Sequence, residues 1–214
     1  MTFRELKKLT DGGENAHVEF KRKVQHPEKI MKEVVAFANT DGGHLLIGVD
    51  DNGLIPGLKH PDDDDFLMEQ SMTDLCKPEI KFEKEFIKVK DGRVVIHYFI
   101  HPSDEKPHFA FLKKTHRYGR AFVRVADKSV QASREMRKIL KLSKREQGGM
   151  FQYGENEKLL MNYLGQHQRI TLAEFRKLTN LPRDLASNIL VDLTVSRVLR
   201  AIPAENGDWF EPID

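Results

Sequence analysis

The chain has 214 residues and a formal net charge of +2, with 35 Lys or Arg against 33 Asp or Glu. Its hydrophobic content of 39% excludes a disordered chain, and its charged content of 32% is above the usual value of about a quarter. No apolar run approaches the ~18 residues of a membrane helix, and the N-terminus lacks the apolar segment of a signal peptide. The single cysteine, Cys76, excludes an internal disulfide and a cysteine-based zinc site. We therefore expect a soluble, cytoplasmic protein without a membrane partner.

The first part of the chain is predicted to alternate between helices and strands. The helices cover residues 1–11, 27–39 and 62–75, and the strands cover residues 17–21, 45–49, 82–89, 93–100 and 121–125. The second helix has an apolar face at helical spacing, and Pro27 suits its first turn. Gly42 and Gly43 end this helix, and we expect one of them to adopt the left-handed conformation of a helix C-terminus. Asp51-Asn52-Gly53 predicts a tight hairpin into residues 54–55.

The remainder of the chain has a different pattern. A basic helix from residue 131 to about residue 145 ends at Gln147-Gly148-Gly149, where we place a domain boundary. Beyond it the sequence predicts three short helices, over residues 157–165, 171–178 and 182–195, and a β-hairpin over residues 198–202 and 209–210. This order is typical of a winged helix. The predicted fold class is therefore α+β, with a mixed α/β domain over residues 1–149 and a small winged helix-turn-helix domain over residues 150–214.

The near-neutral total hides a strong segregation of charge. Residues 106–145 contain 13 basic and two acidic residues, net +11, whereas residues 50–85 contain 11 acidic and four basic residues, net −7. A nucleic-acid backbone binds such a basic segment through Coulomb attraction and counterion release, and contact with the chain's own acidic segment is the alternative. Aromatic residues such as Tyr118 are interleaved with the cations. The residues of this segment that we predict to bind nucleic acid are Lys113, Lys114, Arg117, Arg120, Arg124, Arg134, Lys138, Lys141 and Arg145.

Three acidic residues and a lysine form a candidate catalytic set. Glu19 and Lys21 are two residues apart in a predicted strand and therefore lie on one side of it, with Glu14 just upstream. Asp51 follows the next predicted strand and is the candidate third carboxylate. Such carboxylates hold Mg²⁺ or Mn²⁺ in nucleases, where a lysine steadies the phosphate or the attacking water. The alternative is structural, with Glu14 as a cap, Glu19 and Lys21 as an ion pair, and Asp51 as a turn residue.

The motifs of the first domain together resemble the Schlafen AlbA-type domain. They are Glu14-x4-Glu19-Phe20-Lys21, Ala36-Phe37-Ala38-Asn39-Thr40-Asp41-Gly42-Gly43, Gly48-Val49-Asp50-Asp51-Asn52-Gly53 with Gly57, and Phe122-Val123-Arg124-Val125 with Ser129 and Ala132-Ser133. The match covers most of residues 10–140. Bacterial members are usually described as DNA-binding domains or transcriptional regulators, often joined to a helix-turn-helix. The resemblance therefore implies a Schlafen AlbA-like fold and DNA or RNA as the partner.

The resemblance also implies an enzyme as an alternative. Animal Schlafens include endoribonucleases that cut transfer and ribosomal RNA with three carboxylates and a divalent metal. Glu14 and Glu19 match two of these carboxylates, Asp51 is matched to the third, Lys21 would contact the phosphate, and the cofactor would be Mg²⁺ or Mn²⁺. This chain departs from those enzymes because it carries one lobe instead of two and lacks their Cys/His zinc site. A homodimer is one way to rebuild the two-lobed clamp.

The predicted winged helix offers a second candidate interface. Arg183 and Asn188, on its third helix, have side chains that can contact base edges. This domain is net −2, however, whereas winged helices that bind DNA usually present a basic face, so contact with protein is the alternative. The sequence thus predicts a nucleic-acid-binding protein similar to bacterial transcriptional regulators. A Mg²⁺- or Mn²⁺-dependent endoribonuclease of structured RNA and a dimeric protein-interaction scaffold are the alternatives.

Overall fold

The computed structural model describes residues 1–143, 154–204 and 206–213, which form two compact units, Met1–Gln131 and Ala132–Asp214. The predicted boundary between residues 149 and 150 lies outside the described residues. The boundary between the two compact units lies earlier, between residues 131 and 132, so the basic helix belongs to the second unit. Helices and sheets are mixed throughout, which confirms the α+β class. Within the described ranges, no helix has both the length and the apolar character needed to span a bilayer.

The first unit contains the predicted helices and strands with small shifts at their ends, and three further short strands at residues 76–77, 109–110 and 128–131 that were not predicted. Its helices are α1 (Phe3–Asp11), α2 (Pro27–Asn39) and α3 (Pro61–Leu75). Its strands are β1 (Val18–Lys21), β2 (Gly43–Ile47), β3 (Cys76–Lys77), β4 (Phe82–Lys88), β5 (Val94–Ile100), β6 (Phe109–Ala110), β7 (Phe122–Val125) and β8 (Lys128–Gln131). The turn at Asp51-Asn52-Gly53 is present, but the predicted hairpin strand at residues 54–55 is wrong. The two edges of β2 are already paired with β1 and β5, so no edge remains for a hairpin partner.

The main sheet has the strand order β1-β2-β5-β4, with β1 parallel to β2 and the other pairs antiparallel. Successive side chains of β2 point to opposite faces of the sheet. Leu45 and Ile47 join the core that includes α2 and α3, whereas Leu46 joins a second core that includes Leu6 of α1. Because helices cover both faces, β2 is a continuous apolar run and not an alternating one. Two-stranded ladders β3–β6 and β7–β8 complete the unit, and β7 packs against α2.

The turn from α2 into β2 needs glycine at two successive positions. Gly42 has a φ of 77°, in the left-handed region that other residues adopt at a cost, which confirms the predicted helix end. A Cβ atom on Gly43 would lie 2.3 Å from the ring of Phe37, so the strand can approach the helix this closely only without a side chain. The double glycine therefore sets how β2 packs on the end of α2.

The second unit is a small helical assembly with one sheet. Its elements are α4 (Arg134–Leu142), α5 (Glu155–His167), β9 (Ile170–Thr171), α6 (Leu172–Thr179), α7 (Arg183–Val195), β10 (Leu199–Ile202) and β11 (Trp209–Pro212). The sheet is antiparallel with the order β10-β11-β9. Thr171 and Glu174 form the predicted capping box of α6. From α5 onward the order is the one expected of a winged helix, and assignment to that class stays a prediction. Gln131 ends β8 instead of beginning α4, because Ser133 caps the helix.

Candidate nucleic-acid interface

The predicted catalytic residue Glu19 is buried and fully engaged by cations. Strand alternation places Glu19 and Lys21 on one side of β1, and the two side chains form the ion pair of the structural alternative. The second carboxylate oxygen of Glu19 accepts a hydrogen bond from Arg124 Nη1 at 2.9 Å. Only 7% of the Glu19 side chain is exposed. Its charge is therefore balanced inside the protein and not offered to solvent.

Arg124, predicted to bind nucleic acid, is instead the centre of this buried network. Its side chain is 1% exposed, and Nη1 also donates to Glu33 Oε2 at 3.0 Å and to the hydroxyl of Ser129 at 3.1 Å. Nη2 donates to the carbonyl of Asn15 at 2.6 Å. A buried guanidinium must be paired, and two carboxylates here do so. The prediction that Arg124 contacts a phosphate is therefore wrong, since the side chain ties β7 to α2 and β1.

Glu14 and Asp51 lie near Glu19 without forming a metal site with it. Glu14 accepts a hydrogen bond from the Phe20 N–H at 2.8 Å. Burial raises the pKa of Glu14 above its usual range, and the nearby negative charges of Glu19 and Asp51 raise that pKa further. Within the described residues, no group of three or more His, Cys, Asp or Glu side chains could hold a metal ion. With Glu19 held by Arg124 and Lys21, these carboxylates do not fit Mg²⁺ or Mn²⁺ in this arrangement.

The basic loop, defined as residues 111–120 between β6 and β7, exposes four of the predicted nucleic-acid-binding residues: Lys113, Lys114, Arg117 and Arg120. Backbone hydrogen bonds of 2.9 and 2.8 Å between Ala110 and Arg120 close the loop at its base. Lys114 forms an ion pair with Asp74 at 2.7 Å, whereas the other three cations have no ion-pair partner within the described part of the chain. Their charge therefore faces solvent.

An aromatic side chain lies among these cations. Tyr118 is 76% exposed, and the guanidinium of Arg117 lies 5.4 Å from the centre of the Tyr118 ring. A cation near an aromatic ring is attracted by the ring quadrupole, so each side chain restricts the other. Exposed aromatics next to cations are the features with which proteins bind single-stranded nucleic acid, through stacking and charge.

A groove of about 510 Å³ separates the basic loop from the first turns of α2. Its apolar lining is Ala110, Phe111, Leu112 and Phe122, and polar side chains at its margin are Glu28, Lys29, Lys32, His116 and Arg120. Sequence analysis missed Lys29 and Lys32. Their spacing of three residues in a predicted helix places them on one helical face, and this spacing could have identified them as a pair of neighbouring cations.

Asn39 positions both flanks of the loop. Its side-chain amide donates to the carbonyls of His108 at 3.0 Å and Phe122 at 2.9 Å, and its carbonyl accepts from the His108 N–H at 2.7 Å. Asn39 is 1% exposed and ends α2. A buried side chain that satisfies three backbone groups fixes the segments before and after the loop on the end of this helix.

Several predicted nucleic-acid-binding residues of the second unit contact side chains of the same unit. Arg134 forms an ion pair with Asp184 at 2.8 Å, and Lys138 donates to Asn188 at 2.9 Å. Ser187, between them on α7, is fully buried and donates to Glu135 of α4. The face of α7 predicted to contact base edges is therefore covered in part by α4. Arg183 is exposed and 3.9 Å from Glu135, Lys141 is exposed, and Arg145 lies outside the described residues.

Comparisons with known proteins give one family match and two similar structures. The family model described as Schlafen, AlbA_2 matches residues 14–133. The solution NMR structure of the N-terminal domain of a Nitrosomonas europaea protein, described as ATP-dependent DNA helicase RecG-related, is 26% identical with a TM-score of 0.43. That match covers 56% of this chain and 86% of the other. The crystal structure of the DIP2311 protein from Corynebacterium diphtheriae is 16% identical with a TM-score of 0.42, covering 64% of this chain and 31% of the other.

Proposed function

The chain belongs to the Schlafen AlbA_2 family, and we propose that its first unit binds nucleic acid through the basic loop and the neighbouring turns of α2. The observation that carries this proposal is the set of exposed loop cations without an acidic partner within the described residues: Lys113, Arg117 and Arg120. Phosphates compensate such charges and release counterions when they bind. Bacterial members of the family are usually described as DNA-binding, which agrees with this function.

The proposal assigns binding to the loop and not to α7. The α7 residues suggested for base contact, Arg183 and Asn188, lie close to α4 side chains, and Asn188 already accepts a hydrogen bond from Lys138. A role as a transcriptional regulator requires that the loop binds DNA. We do not extend the proposal to metal-dependent cleavage, because the Glu19 carboxylate is already held by Arg124 and Lys21.

The proposal is tested by the salt dependence of binding. The triple variant Lys113→Gln, Arg117→Gln, Arg120→Gln removes three loop cations. The matched control Lys59→Gln, Lys81→Gln, Lys88→Gln removes the same charge from exposed positions outside the loop. Binding of fluorescent single-stranded and duplex oligonucleotides is measured by anisotropy at several salt concentrations.

We expect the loop variant to weaken binding about tenfold or more and to reduce the slope of log K against log salt by about 2 to 3, as for three lost phosphate contacts. The control variant should keep most of the wild-type affinity and slope. Equal losses in the two variants would show that only net charge matters and would refute the assignment to the loop.

A further inference from the structure

The groove beside the basic loop has features that a phosphate backbone does not require. Phosphate oxygens need only cations and N–H donors, which the exposed loop already presents. The groove adds an apolar floor formed by Phe111, Leu112 and Phe122, with Tyr118 also on its lining. Its volume of about 510 Å³ falls in the range of small-ligand sites, roughly 300 to 1,000 Å³. An apolar pocket with cations at its margin suits a flat ring that carries a phosphate.

An unpaired nucleotide has this combination of chemistry. In a duplex the base faces are covered by stacking, so a protein reaches only the base edges in the grooves and the sugar-phosphate backbone. In a single strand or a loop the bases can be splayed out, stacked on aromatic side chains and hydrogen-bonded at their edges. Lys29 and Arg120 lie along the groove margin, where they can contact the phosphates on either side of such a base. Lys32 lies there too and already pairs with Glu33 at 3.1 Å.

Local contacts fix the loop that borders this groove. A Cβ atom on Gly119 would lie 2.7 Å from the ring of Phe111 and 2.8 Å from Cβ of Phe109, so glycine permits the loop to pack directly on the aromatic floor. The Phe111 N–H donates to the carbonyl of Leu75 at 2.8 Å, which fixes the start of the loop on α3. A pre-formed site avoids much of the ordering cost of binding.

We propose that the groove between the basic loop and α2 binds one unpaired base of a single-stranded nucleic acid, stacked on Tyr118 and the apolar floor. This inference rests on the proposed function and adds to it the class of ligand. The base supplies the apolar ring for the floor, and the adjoining phosphates are bound by the cations of the margin.

The test uses the full chain and a fluorescent thymidine oligonucleotide of about twelve nucleotides. Three other probes have the same length: an abasic strand with identical phosphates, the duplex with oligodeoxyadenosine, and oligouridine. Abasic and natural strands differ only in the bases, so their ratio isolates the pocket from the charged surface. Oligouridine distinguishes RNA from DNA as the source of the base.

Wild-type protein should bind the thymidine strand about ten- to a hundredfold more tightly than the abasic strand, and more tightly than the duplex, since stacking contributes about 1 to 3 kcal/mol per base. Tyr118→Ala should reduce this ratio at least fivefold, because the stacked ring is lost while the apolar floor remains. Phe66→Ala, which removes another exposed aromatic (65%) from α3 outside the groove lining, should keep the wild-type ratio. Both positions are exposed, and circular dichroism tests whether the variants fold.

The outcomes separate the failure of this inference from that of the proposed function. If wild type binds abasic and natural strands equally, with the loop cations still required, the surface binds phosphate and the base pocket is refuted. The same conclusion follows if Tyr118→Ala keeps the wild-type ratio. If the duplex alone binds, the base pocket is refuted and the proposed function stands. If none of the four probes binds, both the inference and the proposed function are refuted.

Discussion

Removing the guanidinium of Arg124 should destabilise the first unit strongly. In Arg124→Ala, the carboxylates of Glu19 and Glu33, with side chains 7% and 6% exposed, lose the cation that bridges them. Breaking a buried ion pair from one side typically costs about 3 to 5 kcal/mol, because the remaining charge is left without compensation. Lys21 and Lys32 still reach these carboxylates, so we expect a loss of about 3 kcal/mol in the free energy of unfolding.

The measurement is urea unfolding by circular dichroism, combined with hydrogen exchange of β2 amides to follow the first unit separately from the second. Arg22→Ala is the control, since its ion pair with Asp50 is 3.4 Å long and its side chain is 73% exposed. Such a surface pair contributes about 0 to 1 kcal/mol. The double variant Arg124→Met, Glu33→Gln should recover part of the loss. If Arg124→Ala costs no more than Arg22→Ala, the carboxylates do not depend on the guanidinium, and they would be available for another cation.

Two further predictions concern buried polar groups of the first unit. Asn39→Ala leaves three backbone groups of His108 and Phe122 without partners, so we expect a loss of about 3 kcal/mol or more, faster hydrogen exchange in β6 and β7, and weaker oligonucleotide binding. Normal exchange in both strands would contradict this role. Burial and the neighbouring His44, whose Nδ1 lies 2.8 Å from His97 Nε2, lower the pKa of His97 to about 4. Because this folded-state pKa is below the unfolded value of about 6.5, stability is complete above pH 6.5 and is lost as the pH falls toward 4, by at most about 3 kcal/mol before solvent screening. His97→Gln should flatten this pH dependence in unfolding measurements, and an unchanged profile would show that another group is responsible.

The elements that could be predicted from the sequence are those specified by local pattern. The apolar face of α2 and the two glycines after it fix the helix, its end and the turn into β2, because each requirement is met within a few residues. The hairpin at residues 54–55 could not be judged in this way. Its turn sequence is correct, and the reason that no strand follows is that β1 and β5 occupy both edges of β2. Strand pairing of this kind depends on residues distant in the chain.

For the candidate catalytic set, the sequence identified residues that lie near one another, but it did not show what they contact. Glu14 lies close enough to Glu19 and Asp51 for their negative charges to raise its pKa. The role of Arg124 was missed because its partners Glu19 and Glu33 lie 105 and 91 residues earlier in the chain. A local pattern cannot distinguish a strand arginine that faces solvent from one that faces a buried carboxylate.

The net charge of the basic segment, residues 106–145, overstates the positive charge that is available to a ligand. Of its 13 cations, Arg124 is compensated in the core, Arg134 and Lys138 contact α7, and Lys106 donates to the carbonyl of Thr40 while burial lowers its pKa. A sum of charges over residues 106–145 includes these cations with those of the loop, although their side chains contact other parts of the protein. Among the other described cations, those without an ion-pair partner are Lys113, Arg117 and Arg120 in the loop and Lys128, Arg137 and Lys141 outside it, while Lys114 pairs with Asp74. The loop therefore presents three such cations. A binding surface of this size makes only a few phosphate contacts, so base stacking in the groove would be a substantial share of its affinity and not a small addition to a large electrostatic term.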